Sequence, residues 1–319
     1  MNTGYHKFGD LNHYYFNNLS SSEQRIYKEV VKCFTAREKE ITLTHRINSK
    51  VLKAITLENP QLYYVNLKEL SFSSNGIVFK YLPDYLLSKS QTDQIEATIR
   101  GMLNAFRTDD EERTIRNVHN YLIKNIKYDY VDETNIDLFN HSLVNVFTKQ
   151  KGVCEGISFA FQYLLKLLDI ECVSITGDLD GGAHSWNIVC VDGYNYHIDV
   201  TSDMGATQKG YKKPSYFCYM ITDKEISVSH SYSDNFNCMQ TKDNPYYKTR
   251  RVFNNRGELR NYLSTIKRST NTFYFKYLGR DLSNNEMFNY VISNTPSSLL
   301  RINWSYVVDD TNTLFCFHR

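Results

Sequence analysis

GVCEGISFAFQYLLKLL, residues 152–168, sets Ile157, Ala160, Phe161, Leu164, Leu165 and Leu168 at the i, i+3, i+4, i+7 spacing of a helix with one buried face. Cys154 falls at the first turn of that helix, where unpaired backbone N–H groups and the helix dipole favour negative charge. Downstream, Glu171–Thr176 (ECVSIT) alternates as a strand, and Gly177–Ala183 (GDLDGGA) reads as a glycine-rich loop. His184–Val191 (HSWNIVCV) and Tyr194–Val200 (YNYHIDV) then flank Asp192-Gly193, a dipeptide favoured in two-residue hairpin turns. With Asp192 and Gly193 as the loop, 191 pairs with 194, and Asp199 faces Trp186. His184, two residues before Trp186, shares the face of Asp199 and lies diagonal to it. The other face (Val189, Val191, Tyr194, Tyr196, Ile198, Val200) is the expected core side. That leaves His184, Trp186, His197 and Asp199 toward a cleft or the Cys154 helix.

These residue types make a chemical constellation. A thiolate at a helix N-terminus is a nucleophile, an imidazole beside it is its base, and a carboxylate fixes the tautomer and charge of the imidazole. Each feature alone is more often structural, since a buried Cys is mostly a small hydrophobe. Together they point to a site. His197 shares the His184 face but faces Ile188, and is expected either to line the cleft or to support the site residues from behind. His119 and His141 are expected to be structural. Cys218, His230 and Cys238 lack the pairing and spacing of a zinc site, so no metal and no cofactor is expected.

Working outward toward the N-terminus, Ser20 and Glu23 stand in capping-box spacing before a helical stripe at Ile26, Tyr27, Val30, Val31 and Phe34. A short helix is expected around Val51, Leu52 and Ile55. Leu62–Leu67 and Ile77–Leu82 are expected to form a small hairpin, and further helices carry Ile95 to Phe106 and Ile115 to Ile126. After Thr201 a polar loop (202–214) is expected to border the cleft. It is followed by a strand at Tyr216–Ile221, a turn at Thr222–Ile226, and a helix–strand–helix pattern ending in two strands from about 250 onward.

The 319 residues carry 37 Lys+Arg against 35 Asp+Glu, a net charge of +2, which gives no field to draw in nucleic acid or an anionic membrane. No run approaches the roughly 20 apolar residues of a membrane span, and MNTGYHKFGD has no apolar signal core. A cytoplasmic protein is the expectation if Met1 is the native start. Seven scattered cysteines, at 33, 154, 172, 190, 218, 238 and 316, argue against a disulfide framework, so most should be buried thiols.

GVCEGISFAFQYLL, HSWNIV and YHIDVT, in that order, resemble the transglutaminase-like superfamily of papain-type cysteine enzymes, over about residues 110–235. VHNYLIKNIKYD (118–129) and YFCYMITDKEISVSH (216–230) extend the likeness, and the region before 110 resembles the front end of bacterial members. The resemblance implies an α+β fold with a Cys-bearing helix packed on an antiparallel sheet. It also implies a nucleophile at Cys154, a base at His184 and an orienting acid at Asp199. Family members often continue Asp-x-Thr-Trp, whereas this chain has Ser202 in place of the Trp. The Cys154 backbone N–H is the expected first donor of an oxyanion hole, with Gln150, Asn145 and Tyr128 as open candidates for the second.

The expected division is an N-terminal helical and hairpin region (1–108), a catalytic domain (109–249) and a small α+β region (250–319). The expected function is a cysteine peptidase or amide hydrolase on a peptide or protein substrate. The alternatives are an amine-transferring enzyme and a catalytically weak peptide- or protein-binding module.

Overall fold

The computed structural model describes residues 10–130, 139–208, 216–249, 251–267, 269–270, 272–296, 305–308 and 314–318. From the N-terminus run α1 (Tyr14–Asn17), α2 (Ser21–Thr35), β1 (Ile41–Leu43) and α3 (Ser49–Glu58), followed by β2 (Ser71–Ser74), β3 (Phe79–Leu82), α4 (Lys89–Met102) and α5 (Glu111–Asn125). Ser20 and Glu23 close the expected capping box on α2. Leu62–Leu67 does not form a strand. Pro60 opens a single tight turn (Pro60–Leu62), a second turn follows at Leu67–Glu69, and between them only Val65 bridges to Tyr85. The hairpin is β2 with β3, where Ser74 pairs with Phe79, and β1 adds on the other edge of β3.

The centre of the chain holds β4 (Lys127–Tyr128), α6 (Leu143–Lys149), β5 (Lys151–Gly152), α7 (Cys154–Leu167), β6 (Cys172–Leu179), β7 (Gly182–Val191), β8 (Tyr194–Ile198), α8 (Val200–Gln208), β9 (Tyr219–Ile221), α9 (Asp223–Ile226), β10 (His230–Ser231) and α10 (Pro245–Lys248). A five-stranded antiparallel sheet runs β10-β6-β7-β8-β9. The Asp192-Gly193 turn has positive φ at both residues, and 191 pairs with 194 and 187 with 198, the expected register. The glycine-rich stretch 177–183 is not a loop. Asp180 and Gly181 (φ 50° and 84°) make a second two-residue turn, and β6 and β7 extend up to it on both sides.

Both faces of this sheet are buried. Ile157, Ala160, Phe161, Leu164 and Leu165 of α7 share one core with Val189, Val191, Tyr196 and Ile198. Polar bonds stitch the same face, Ser158 Oγ to the Ser185 carbonyl at 2.8 Å and Asn187 Nδ2 to the Ser158 carbonyl at 3.1 Å. The other face, expected toward a cleft or the Cys154 helix, is covered instead by the N-terminal region. Val173, Ile175, Trp186 and Ile188 pack with Val30, Phe34, Val51 and Ile55 of the N-terminal helices, because β-branched and aromatic side chains stand out on both sides of these strands and each side needs a cover.

Val200, expected to end a strand, and residues 202–208, expected within a polar loop, are helical because Asp199 caps them, its Oδ1 accepting from the backbone N–H of Thr201 and Ser202. The rest of that loop, 209–214, lies outside the described residues. Beyond it, β11 (Val252–Phe253), α11 (Arg256–Leu263), β12 (Thr272–Tyr277), α12 (Asn284–Asn294), β13 (Ser305–Val308) and β14 (Leu314–His318) form a sheet in the order β11-β12-β14-β13 over a separate core of Leu259, Leu263, Phe275, Met287 and Phe317. Among the described residues no helix is long and apolar enough to cross a membrane. Among the cysteines whose burial is described, Cys33, Cys172 and Cys238 are buried thiols, whereas Cys154, Cys190 and Cys218 are half-buried.

Candidate active site

Cys154 opens α7 behind Val153, which offers no side-chain cap, so the first-turn N–H groups keep no competing side-chain acceptor from that position. His184, near the start of β7, lies beside the Cys154 side chain and hydrogen-bonds the Asp199 carboxylate, with Nε2 2.8 Å from Asp199 Oδ2. A carboxylate only accepts, so Nε2 carries the proton and Nδ1 is the nitrogen left for Cys154. His184 is nine per cent exposed and Asp199 is fully enclosed. Burial pulls the His184 imidazole down, yet the Asp199 charge and hydrogen bond, with Cys154 adding to them, raise it to about 10. Burial likewise pushes Asp199 up, but the His184 and His230 rings outweigh it and hold the carboxyl well below its ordinary range. Cys154, His184 and Asp199, read from the sequence, are thus brought together.

The structure adds partners that sequence reasoning missed. His230, set aside as a failed zinc ligand, donates from Nε2 to the same Asp199 Oδ2 at 3.0 Å. Ser202 Oγ donates to that oxygen at 2.5 Å, and Thr201 Oγ1 donates to Oδ1 at 2.6 Å. Ser202, at the position where the family often has Trp, therefore supplies a hydroxyl to the acid. His230 is placed by the short pairing of β10 with β6, His230 opposite Leu179, a two-residue contact with no periodic signature. The signal that could have found it was the family likeness, which runs as far as His230.

His197 is fully buried, so of its two expected places it takes the one behind the site and not the cleft wall. Its Nδ1 accepts from Trp186 Nε1 at 3.0 Å, and its Nε2 donates to Asp223 Oδ1 at 2.9 Å. Burial lowers its pKa and keeps the ring neutral, so it anchors Trp186, whose indole stacks on His184 at 5.9 Å between centroids. His119 is buried against Asp203 at 2.9 Å. His141 is instead exposed and bonds Glu155, the residue after Cys154, at 2.8 Å. Of the three oxyanion candidates, Gln150 is exposed at the end of α6, and Asn145 donates to Asn140. Tyr128 lies beside both the backbone N–H and the side chain of Cys154, close enough for each to perturb its hydroxyl.

Two groups bring ligand-type atoms within 4.8 Å of one another, His184/Asp199/His230 and His197/Asp223/Cys238. The second does not suit a metal. A ligating Nε2 would need the ring proton on Nδ1, where Trp186 already donates. In the first, an ion would displace the three donors that meet at Asp199 Oδ2.

Residues 101–200 match the family model for the transglutaminase-like superfamily, and all three site residues fall within them. This part of the chain is a transglutaminase-like domain. The chain is 21% identical over 205 residues to human kyphoscoliosis peptidase, a match over 57% of this chain and 30% of that protein, so it spans under a third of that relative's length. Among solved structures, a TGase is similar at 16% identity and a TM-score of 0.33, covering 51% of this chain and 50% of that one. A candidate cysteine protease from Cytophaga hutchinsonii is similar at 13% identity and a TM-score of 0.27, over 42% and 61% of the two chains.

Proposed function

We propose that the transglutaminase-like domain is a cysteine amide hydrolase that cleaves peptide or protein amides through an acyl-enzyme on Cys154. One observation carries this reading: His184 bridges a buried, ionised Asp199 and a cysteine at a helix N-terminus. In the reaction the Cys154 sulfur forms a bond to the amide carbon, and the carbonyl electron pair moves to oxygen. On collapse the C–N bond breaks and the departing nitrogen takes the proton from His184 Nδ1. Water then gives a proton to Nδ1 and attacks the thioester. The C–S bond breaks, releasing the acid and restoring the thiolate–imidazolium pair. A groove of about 280 Å³ lined by Leu62, Tyr63, Leu67, Leu143, Glu155 and Phe159 supports a peptide substrate, since it offers apolar side chains room beside the residue next to the nucleophile.

The test is alkylation by iodoacetamide across pH, read at every cysteine by mass spectrometry, in the native protein and in His184→Ala. Cys154 is expected to react far faster than the other thiols below pH 7 and to lose that advantage in the variant. Reactivity no different from Cys190 and Cys218 would overturn the reading. Product analysis with a labelled primary amine separates hydrolysis from amine transfer: free acid is expected, and amine incorporation without hydrolysis would replace the hydrolase with a transferase.

A further inference from the structure

We propose that Tyr128 is the second donor of the oxyanion hole, its hydroxyl placed to hold the substrate's carbonyl oxygen together with the Cys154 backbone N–H. The inference rests on the nucleophilic role of Cys154 proposed above. Its geometric basis lies in the strand pair that precedes α7. β4 and β5 run parallel with Tyr128 opposite Gly152, fixed by Lys127 N to Gln150 O at 2.9 Å and Asp129 N to Gly152 O at 3.0 Å. That pairing ties Tyr128 to the backbone two residues before the nucleophile. Its ring packs edge-on against Tyr130 at 5.1 Å, and its hydroxyl reaches both the N–H and the sulfur of Cys154.

The two contacts have different meanings. Toward the Cys154 N–H the Tyr128 oxygen is an acceptor, so the hydroxyl occupies the place a substrate oxygen must take. Toward the sulfur the hydroxyl is a donor. When a carbonyl enters, its oxygen replaces Tyr128 on the N–H, and the freed O–H turns from sulfur to oxygen as the C–S bond forms and negative charge moves from one to the other. Burial first, and the Cys154 charge second, push the phenol up to about 12, so the proton stays on the hydroxyl at neutral pH. A neutral donor that follows the charge from nucleophile to oxyanion stabilises the transition state more than the ground state.

Tyr128→Phe removes one hydroxyl and keeps the ring packing. Two probes read it in the full chain: iodoacetamide, whose displacement reaction forms no oxyanion, and p-nitrophenyl acetate, whose acyl transfer does. The expected result is that acylation of Cys154 by p-nitrophenyl acetate slows about a hundredfold, the range found for loss of one oxyanion donor, while alkylation stays within about threefold of wild type. Equal slowing of both reactions would overturn the proposal and make Tyr128 a partner of the thiolate alone. Unchanged or faster acylation would overturn it too, showing a hydroxyl that merely fills the hole. If wild-type Cys154 reacts with neither probe, the nucleophile reading fails first and the proposal with it.

Discussion

Asp199 accepts six hydrogen bonds among the described residues: two from the rings of His184 and His230, two from the hydroxyls of Thr201 and Ser202, and two from the first N–H groups of α8. One side chain therefore caps a helix and fixes a charge beside His184, and the pH dependence of stability follows. The His184 pKa is raised from about 6.5 in the unfolded chain to about 10 in the fold. The folded state then binds a proton that the unfolded state gives up, so its stabilisation is complete below the unfolded pKa and is lost as pH rises through the folded one. Urea unfolding at pH 6, 8 and 10 is expected to show the native protein losing its advantage over His184→Gln across that window. A gap independent of pH would contradict the charged pair. The link from His184 to Asp199 was legible because hairpin register is arithmetic once the turn is known. Ser202 was legible only as a missing Trp, since sequence names a residue and not the oxygen it will find.

At the scale of elements, the site depends on two hairpin turns built from the same dipeptide. Asp192-Gly193 stands between two clear alternating runs and was readable. Asp180-Gly181 is embedded among Gly177, Gly182 and Ala183, where small residues hide strand periodicity, so the strands on either side looked like loop. Gly177 shows what that stretch is for. A Cβ there would lie 2.2 Å from the Ser231 carbonyl and 2.8 Å from Trp186 Cη2, so only glycine lets β10 and the indole close on β6. Gly177→Ala is expected to push β10 and Trp186 away, taking His230 off Asp199 and loosening the stack on His184. We expect a loss of about 1–3 kcal/mol, the range for overpacking a tight site, measured by thermal unfolding, together with slower acylation of Cys154. An alanine variant with native stability and native acylation would show that β10 is dispensable to the site.

For the whole molecule, the division of the core governs how damage spreads. The N-terminal helices share their core with Val173, Ile175, Trp186 and Ile188 of the central sheet, and Trp186 stacks on His184. The C-terminal sheet keeps its own core and meets the centre through the Lys276–Glu225 ion pair, whose lysine is one per cent exposed. Composition could not reveal this asymmetry, because the helices that cover the sheet are more than a hundred residues from it in sequence. Two truncations of buried side chains separate the cases. Ile55→Ala and Leu259→Ala each remove a fully buried aliphatic group, a change that costs about 2–5 kcal/mol in a well-packed core. Ile55→Ala is expected to lower the temperature at which Cys154 loses its selective reactivity, because its cavity opens in the core that seats Trp186. Leu259→Ala is expected to add an earlier unfolding step while Cys154 reactivity follows the native profile. If Leu259→Ala moves the Cys154 profile as far as Ile55→Ala does, the C-terminal unit and the site unfold as one, and the buried ion pair couples them as strongly as the shared core couples the N-terminus.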